Sequence, residues 1–240
     1  MRAGILAAGL GERLAAACTG QPKALLRVAG RPLLRHALEA VLAAGAREAW
    51  VAVNPRDAAA VERALAAVPP PLPVTLLCRA TASSLETFAH LSPWLREGGR
   101  HAIVAMVDGV FAPGAVAGFG REAAGLAADT EASMEGLIGV TDREDDDRPL
   151  RVAFDPEGRV QAIGPAAAGS RHATAGLYCL PARAFALAPA PADAAGVPLR
   201  DFLAGLPGAG LRLRAHPLGR VVDVDRPDDL AEADALRGSA

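Results

Sequence analysis

The sequence lacks the long apolar run that a membrane-spanning helix needs. Half of its 240 residues are hydrophobic, but no stretch approaches the roughly 20 consecutive apolar residues that cross a bilayer. Gly4, Gly9 and Gly11 interrupt the N-terminal apolar run, and Glu12 and Arg13 follow at once, unlike a signal peptide. We therefore expect a cytoplasmic protein without a membrane partner.

Cysteine and excess positive charge are scarce as well. The three cysteines, Cys18, Cys78 and Cys179, are far apart and form no CxxC pair. This spacing favours free thiols over disulfides or zinc ligands. The net charge of −2 lacks the basic excess with which general nucleic-acid binders neutralise phosphates. No nucleic-acid partner is expected.

Lysine is the scarcest charged residue, since Lys23 stands alone beside 24 arginines. Because this chain uses arginine at its general basic positions, a lone lysine indicates a position that requires a compact ammonium group. It lies in the stretch "LAAGLGERLAAACTGQPKALL", residues 6–26, together with Gly9, Gly11 and Arg13. This stretch therefore combines a glycine loop with two cations.

The first 110 residues alternate between short apolar runs and helical patterns. Strands buried on both faces read as continuous apolar runs, and regular β-α-β alternation is typical of a parallel sheet with helices on both sides. The predicted strands cover residues 3–6, 48–54, 74–79 and 101–108, and the predicted helices cover residues 32–45, 55–68 and 83–95. The sequence thus predicts an α/β fold with a Rossmann-like, open, mixed but mostly parallel sheet.

The second half is less regular but predicts one continuous domain. A hairpin is expected over residues 151–164 around a DPEG turn, strands over 173–181, 211–218 and 220–225, and a helix from Pro227. The acidic run at 142–148 is interpreted as a solvated loop. Pro/Ala-rich pieces such as "VPPPLP" are too short to be domain linkers, so residues 1–240 are predicted to form a single domain.

The glycine loop after the first predicted strand would present backbone N–H groups to phosphates. A dinucleotide fingerprint requires a third glycine, where this chain has Leu14, and an acid after the second strand, where it has Asn54. A P-loop requires Gly-Lys-Ser/Thr, whereas Lys23 lies between Pro22 and Ala24. The remaining interpretation is a loop that wraps a nucleoside triphosphate.

In this stretch the sequence resembles the nucleotidyltransferases that activate sugar phosphates and related phospho-alcohols, of the MobA-like NTP transferase type. Their signature of L-A-A-G-x-G-x-R, then P-K, then G-x-P-L is complete here. The segments "VAMVDGVFAPG", "TAGLYCLP" and "VVDVDRPDDLAEAD" resemble later parts of the same family. The resemblance implies a nucleotide-binding half, residues 1–110, and an acceptor-binding half, residues 111–240.

The resemblance also implies a reaction and its catalytic groups. A nucleoside triphosphate would be joined to a phosphomonoester with release of pyrophosphate, with Arg13 and Lys23 as catalytic cations. Mg²⁺ would be held by Asp108 and Asp223, with Asp225 as second choice. A phosphomonoester has a second pKa of about 6, so its oxygens are nucleophilic at neutral pH without a general base.

Two sets of residues are expected to contact the substrates. The nucleotide contacts are assigned to Leu6, Ala7, Ala8, Gly9, Gly11, Thr81, Ser83 and Ser84. The sequence leaves open whether Ser83 and Ser84 contact a base or cap the following helix. The acceptor contacts are assigned to Arg171, His172, Thr174 and Gly176.

The acceptor segment departs from the pattern of the sugar-activating members. The residues before "AGLY" lack the acid–lysine pair that those members use, so Arg171 and His172 are the nearest replacements for the missing cation. This favours a small polyol, amino-alcohol or modified sugar phosphate over glucose 1-phosphate. The alternatives are a cytidylyltransferase specific for inositol phosphate or an amino-alcohol phosphate and a non-catalytic nucleotide sensor. A dinucleotide-dependent oxidoreductase is disfavoured by Leu14 and Asn54.

Overall fold

The chain is seen here as a computed structural model that describes residues 1–9, 14, 20–142 and 149–238. The strands in these ranges are β1 (Arg2–Ala7), β2 (Arg27–Val28), β3 (Arg31–Pro32), β4 (Glu48–Val53), β5 (Val74–Cys78), β6 (His101–Met106), β7 (Gly109–Phe111), β8 (Glu135–Thr141), β9 (Val152–Phe154), β10 (Val160–Ile163), β11 (Ala173–Pro181), β12 (Arg212–Pro217) and β13 (Val221–Asp223). The α-helices are α1 (Leu33–Ala43), α2 (Pro55–Ala67), α3 (Ser84–Glu97), α4 (Val116–Ala128), α5 (Ala182–Ala186), α6 (Pro191–Ala194), α7 (Leu199–Gly205) and α8 (Pro227–Gly238). None of these helices has both the length and the apolarity to cross a bilayer.

Seven strands form the central sheet in the order β12-β8-β11-β6-β1-β4-β5. Strand β11 runs antiparallel to both of its neighbours, β6 and β8, and the other pairs in the sheet are parallel. The predicted mixed, mostly parallel α/β sheet is therefore confirmed. The predicted helices and central-sheet strands agree with the observed bounds to within two residues.

Helices cover both faces of this sheet, as predicted. On one face, buried side chains of α1, α2 and α4, including Val41, Val61 and Phe119, pack against alternate residues of β1 such as Ile5. On the other face, α3, α5 and α7 bury a second cluster that includes Phe88. Burial on both sides explains why the strands read as unbroken apolar runs.

Two strands differ from the sequence-based expectation. The strand predicted for residues 101–108 ends at Met106, and a turn at Val107 and Asp108 leads into β7. Strand β7 pairs antiparallel with β13, which is shorter than the predicted strand 220–225 and lies outside the central sheet. This small two-stranded ribbon replaces a straight continuation of β6.

Strand β8 lies in the central sheet but was not predicted. It contains Gly136 and Gly139, which weaken the strand pattern of the sequence. At Gly139 a Cβ atom would lie 2.5 Å from Cδ1 of Leu218 and 3.1 Å from the carbonyl oxygen of Leu177, so a larger residue there would force these neighbours to shift. The predicted hairpin is confirmed as β9 and β10, which pair antiparallel.

The described cysteines are free thiols, as predicted. Cys78 is exposed and Cys179 is buried, and burial raises the pKa of Cys179 to about 12. Cys18 lies outside the described residues, as does the predicted loop 142–148 apart from Asp142. Because its pKa is raised, the thiol of Cys179 is protonated and unreactive at neutral pH.

A bulge interrupts β11 within the "AGLY" segment. Thr174 pairs with Val140 and Tyr178 with Ile138, so that more residues of β11 than of β8 lie between the two pairs. Gly176 lies inside the bulge with a φ of +70°, in the left-handed region that side chains rarely adopt. The motif glycine is thus explained by backbone geometry.

We expect Gly176→Ala to lower the free energy of unfolding by about 1–2 kcal/mol, because alanine is strained at this φ. Its Cβ would also lie only 3.3 Å from the side chain of Met106. The control is Gly125→Ala, where the new Cβ meets nothing within 4 Å inside α4; it should stabilise by up to about 1 kcal/mol. Urea denaturation of the two variants measures the difference, and equal effects would contradict the strain at Gly176.

Candidate active site

A cavity of about 190 Å³ opens at the carboxyl edge of the parallel strands, beside the end of β6 and the start of β11. Its described lining combines three carboxylates, four hydroxyl groups, one guanidinium group and an apolar wall. The polar residues are Asp108, Asp223, Asp225, Ser84, Thr141, Thr174, Tyr178 and Arg200. Open α/β sheets bind their ligands at this edge, so the cavity is the candidate active site.

The β7–β13 ribbon brings two distant aspartates to this cavity. Asp108 immediately precedes β7, and Gly109 lies opposite Asp223 in the antiparallel register. The amide of Val224 donates a hydrogen bond of 3.1 Å to the carbonyl of Asp108. The two predicted metal ligands, Asp108 and Asp223, are therefore neighbours in space.

Lys23 lies between two of the three carboxylates. Its Nζ donates to Oδ2 of Asp108 at 2.6 Å and to Oδ1 of Asp225 at 2.5 Å. The lysine side chain is only 10% exposed. Burial lowers the pKa of Lys23, but the charges and hydrogen bonds of both carboxylates outweigh it and hold that pKa above its usual range. The ammonium group is therefore charged at neutral pH.

The position of Lys23 is fixed by its own segment. A 3-10 turn, Lys23–Leu25, follows Pro22, and the amide of Leu25 donates to the carbonyl of Pro22 at 2.8 Å. The next residue, Leu26, belongs to a third buried cluster that includes Val222 and Val224 around β13. This cluster holds the lysine segment against the strand of the aspartates.

The loop that carries Asp225 is also held in place. The amides of Asp225 and Arg226 donate to Oδ2 of Asp229 at 2.8 and 2.6 Å, at the start of α8. The chain leaves β13 at Asp223. This bend directs Asp225, the second choice of the sequence analysis, toward Lys23.

The predicted nucleotide contacts separate into two groups. Leu6, Ala7 and Ala8 are buried at the end of β1, and Gly9 is exposed beside them. Gly11, like the predicted catalytic Arg13, lies outside the described residues.

The second group lies at the start of α3. Ser83 is the N-cap of that helix, since its Oγ accepts from the amide of Glu86 at 3.1 Å. The Oγ of Ser84 accepts from the amide of Leu199 at 2.8 Å, and the side chains of Thr81 and Thr87 share a hydrogen bond. The capping interpretation of Ser83 is thus confirmed, and of Thr81, Ser83 and Ser84 it is Ser84 that lines the cavity.

The four predicted acceptor residues are not all at the cavity. Thr174 and Gly176 line it, whereas Arg171 and His172 are not among its lining residues. Arg171 is exposed, and the ring of His172 contacts Phe154 with 4.7 Å between ring centroids. The structure does not bring the predicted acceptor cation to the cavity.

Arg200 lies at the cavity instead, in the first turn of α7. Sequence reasoning missed it because nothing distinguishes it from the other 23 arginines. The segment "VPLRDFL" does carry a helix-start signal at Pro198, but no local pattern shows where that helix docks.

Tyr178 contributes a neutral hydroxyl group to the cavity. Burial raises the pKa of Tyr178 to about 12, although its hydrogen bond with Thr174 and the charge of Arg200 act in the opposite direction. The phenol is therefore protonated at neutral pH and can donate a hydrogen bond.

The described residues do not by themselves enclose a metal ion. Within residues 1–9, 14, 20–142 and 149–238, no group of three or more His, Cys, Asp or Glu side chains could hold one. The carboxylates at the cavity would therefore have to share an ion with another ligand.

Three solved structures of known or putative nucleotidyltransferases share this fold. A putative glucose-1-phosphate thymidylyltransferase from Bacillus anthracis has a TM-score of 0.83 and 18% identity over 100% of this chain and 96% of that one. The inositol-1-phosphate CTP transferase from T. maritima has a TM-score of 0.77 and 19% sequence identity, over 98% of this chain and 94% of that one. A UDP-glucose pyrophosphorylase has a TM-score of 0.76 and 15% sequence identity, over 98% of this chain and 97% of that one. These likenesses establish a nucleotidyltransferase fold.

Residues 3–134 match the MobA-like NTP transferase domain. The chain therefore belongs to the MobA-like NTP transferase family, and it is an enzyme of the nucleotidyltransferase class. A comparison with proteins of curated function gave no match.

We expect Lys23→Met to lower the free energy of unfolding at pH 7 by about 1–3 kcal/mol, because Asp108 and Asp225 would then face each other without a cation. Adding Asp108→Asn to that variant should restore part of the loss. Arg212→Met, at an exposed ion pair with Glu135, is the control and should cost no more than about 1 kcal/mol. Denaturant titrations measure all three variants, and a Lys23→Met protein as stable as the parent would contradict the ion-pair assignment.

Proposed function

We propose that this enzyme transfers a nucleotidyl group from a nucleoside triphosphate to a small phosphomonoester and releases pyrophosphate, using Mg²⁺. The observation that carries the proposal is the contact of Lys23 with Asp108 and Asp225 at the cavity. Three segments of the family signature, far apart in the sequence, supply these groups. Residues 1–110 would hold the triphosphate and residues 111–240 the acceptor.

The carboxylates of the cavity fit a divalent ion that arrives with the triphosphate. Mg²⁺ takes one or two carboxylates and completes its octahedron with phosphate and water oxygens. Asp108 and Asp223, with Asp225 as second choice, are the proposed ligands, and the ammonium of Lys23 already occupies a position between two carboxylates. When bound, the ion would neutralise phosphate charge.

The chain's own groups would supply positioning and further charge. An oxygen of the acceptor's phosphate forms the new bond to the α-phosphorus of the triphosphate, and the bond from that phosphorus to the pyrophosphate oxygen breaks. Lys23, and Arg13 as proposed from the motif, would stabilise negative charge on the transferring group. The nucleotide contacts proposed for Leu6, Ala7, Ala8, Gly9, Gly11, Thr81, Ser83 and Ser84 would align it.

No general base is needed for this transfer, because the acceptor's phosphate oxygens are ionised at neutral pH. The hydroxyl group of Tyr178 in the cavity is consistent with a reaction that needs no base. Tyr178 is held neutral by burial, so it is suited to donate a hydrogen bond rather than to accept a proton. A protein without a catalytic base at this position can still run the proposed reaction.

A cytidylyltransferase acting on inositol phosphate is the narrower candidate. The inositol-1-phosphate CTP transferase from T. maritima shares the fold over 98% of this chain. The hairpin of β9 and β10 is present, and its sequence "DPEGRVQAIG" resembles that of inositol-phosphate cytidylyltransferases. The missing acid–lysine pair before "AGLY" favours a compact acceptor of this kind, or an amino-alcohol phosphate.

The proposal is tested by measuring pyrophosphate release across a matrix of triphosphates (CTP, UTP, GTP) and phosphorylated acceptors. We expect one pair to give sustained release with Mg²⁺ and none without it.

Lys23→Arg should lose most of that activity, since the larger planar guanidinium cannot take the place of a compact ammonium. Nucleotide-dependent stabilisation without turnover of any acceptor would instead support a nucleotide sensor.

We expect Asp108→Asn and Asp223→Asn to abolish pyrophosphate release while the protein still folds, with a lowered thermal unfolding midpoint in Asp108→Asn because Lys23 loses one of its carboxylate partners. Removing a carboxylate removes a charge interaction with the ion, so Mn²⁺ binding in the presence of triphosphate should weaken roughly tenfold or more. Electron paramagnetic resonance of free Mn²⁺ measures that binding. Near-normal turnover and Mn²⁺ binding in both variants would show the ligand assignment to be wrong, and Asp225→Asn would then be the variant to examine.

A further inference from the structure

The described lining of the cavity contains more negative than positive groups. Asp108, Asp223 and Asp225 contribute carboxylates, and Arg200 contributes a guanidinium group. A phosphomonoester carries a charge of about −1.5 to −2 at pH 7, so it would be repelled by most of this lining. We infer that Arg200 binds the phosphate group of the acceptor; this inference rests on the proposed nucleotidyl transfer.

The backbone of Arg200 is held rigidly at the cavity. The preceding amide, that of Leu199, donates to Oγ of Ser84 at 2.8 Å and so ties the start of α7 to the start of α3. Leu199 and Leu203 are both buried in the cluster under α3, and the ring of Phe202 lies 5.2 Å from that of Phe88. The guanidinium therefore extends from a fixed helix rather than from a mobile loop.

The other nearby cations are less suited to this role. Lys23, which lies between Asp108 and Asp225, is the cation proposed for the transferring group of the triphosphate. Arg171 is exposed and is not among the lining residues. Burial, and then the charge of Arg171, lowers the pKa of His172, so the imidazole is neutral at pH 7. Arg200 combines a permanent charge with a position at the cavity.

The surroundings of Arg200 match a phosphate ester of a small alcohol. Arg200 lines the same cavity as the hydroxyl groups of Tyr178 and Thr174. A planar guanidinium can bind two phosphate oxygens at once, and neutral hydroxyls can donate to a third. Leu150 and Leu203 line the same cavity and would contact the apolar face of a compact acceptor.

The kinetic test compares four proteins: the parent, Arg200→Ala, Arg200→Lys and Arg171→Ala. With the substrate pair that the matrix identifies, Arg200→Ala should raise the acceptor KM roughly 10- to 100-fold, as the loss of a charge-assisted contact implies. The KM of the triphosphate should change less than about twofold, because ground-state contacts to that substrate remain. Arg200→Lys should be intermediate, and Arg171→Ala should resemble the parent.

A second measurement uses the unaltered protein and needs no acceptor. Phenylglyoxal modifies accessible arginines, and peptide mass spectrometry gives the rate at each site. Inorganic phosphate should slow the modification of Arg200 and leave that of Arg171 unchanged. Because it involves no substitution, this experiment remains decisive even if Arg200→Ala fails to fold.

The two proposals fail in distinguishable ways. Pyrophosphate release by the parent, together with an unchanged acceptor KM in Arg200→Ala and no protection by phosphate, would overturn the role of Arg200 and leave the reaction standing. Protection of Arg200 without pyrophosphate release from any pair would support the anion site and overturn the reaction. A larger effect of Arg171→Ala than of Arg200→Ala on the acceptor KM would assign the phosphate to Arg171 instead.

Discussion

The site depends on the contact of one ammonium group with two carboxylates. The ammonium of Lys23 donates hydrogen bonds to Asp108 and Asp225, which are 85 and 202 residues away in the sequence. A buried ammonium costs much desolvation free energy unless carboxylates compensate it, and closely placed carboxylates repel each other unless a cation lies between them. Lys23 and Asp108, which are both largely buried, therefore stabilise each other, and Asp225, which is 49% exposed, adds a second negative charge beside the lysine. The arrangement of the site is set within the protein itself, before any substrate binds.

Apolar packing makes that arrangement possible. The cluster of Leu26, Val28, Val222 and Val224 holds the lysine segment against β13, and α8 closes it with Leu236. The β7–β13 ribbon then sets the spacing of the aspartates by backbone hydrogen bonds rather than by side-chain contacts. The ribbon lies outside the central sheet but packs in two directions. Val110 and Val222 belong to the small cluster, whereas Phe111 and Val221 belong to the core on one face of the sheet. The charged site is therefore attached to the sheet through one side of the ribbon.

The sequence alone predicted the central sheet and the family motif, but it did not predict which distant segments contact each other. Because β1, β4 and β6 are buried on both faces, their sequences are apolar throughout and easy to recognise as strands. Strand β8 contains glycines, which weaken that pattern, and at Gly139 the side chain of Leu218 lies where a Cβ atom would be. Alternation along a strand could not rank Asp223 against Asp225, because the chain leaves the strand at Asp223. Arg200 depends on the docking of α7 against α3, a tertiary contact that no local pattern encodes.

The charge of the cavity constrains the way in which two phosphorylated substrates could share it. Its described carboxylates outnumber its cations, even when Lys23 is added to Arg200. A triphosphate alone would meet repulsion from the aspartates, whereas a triphosphate that carries a divalent ion brings positive charge to the same oxygens. The triphosphate would also offer Lys23 a second set of anionic partners in place of a carboxylate. In the proposed reaction the ion and the lysine would both be committed to the triphosphate. The acceptor's phosphate would then need a separate cation, and Arg200 lies in the same cavity on a different element of the fold.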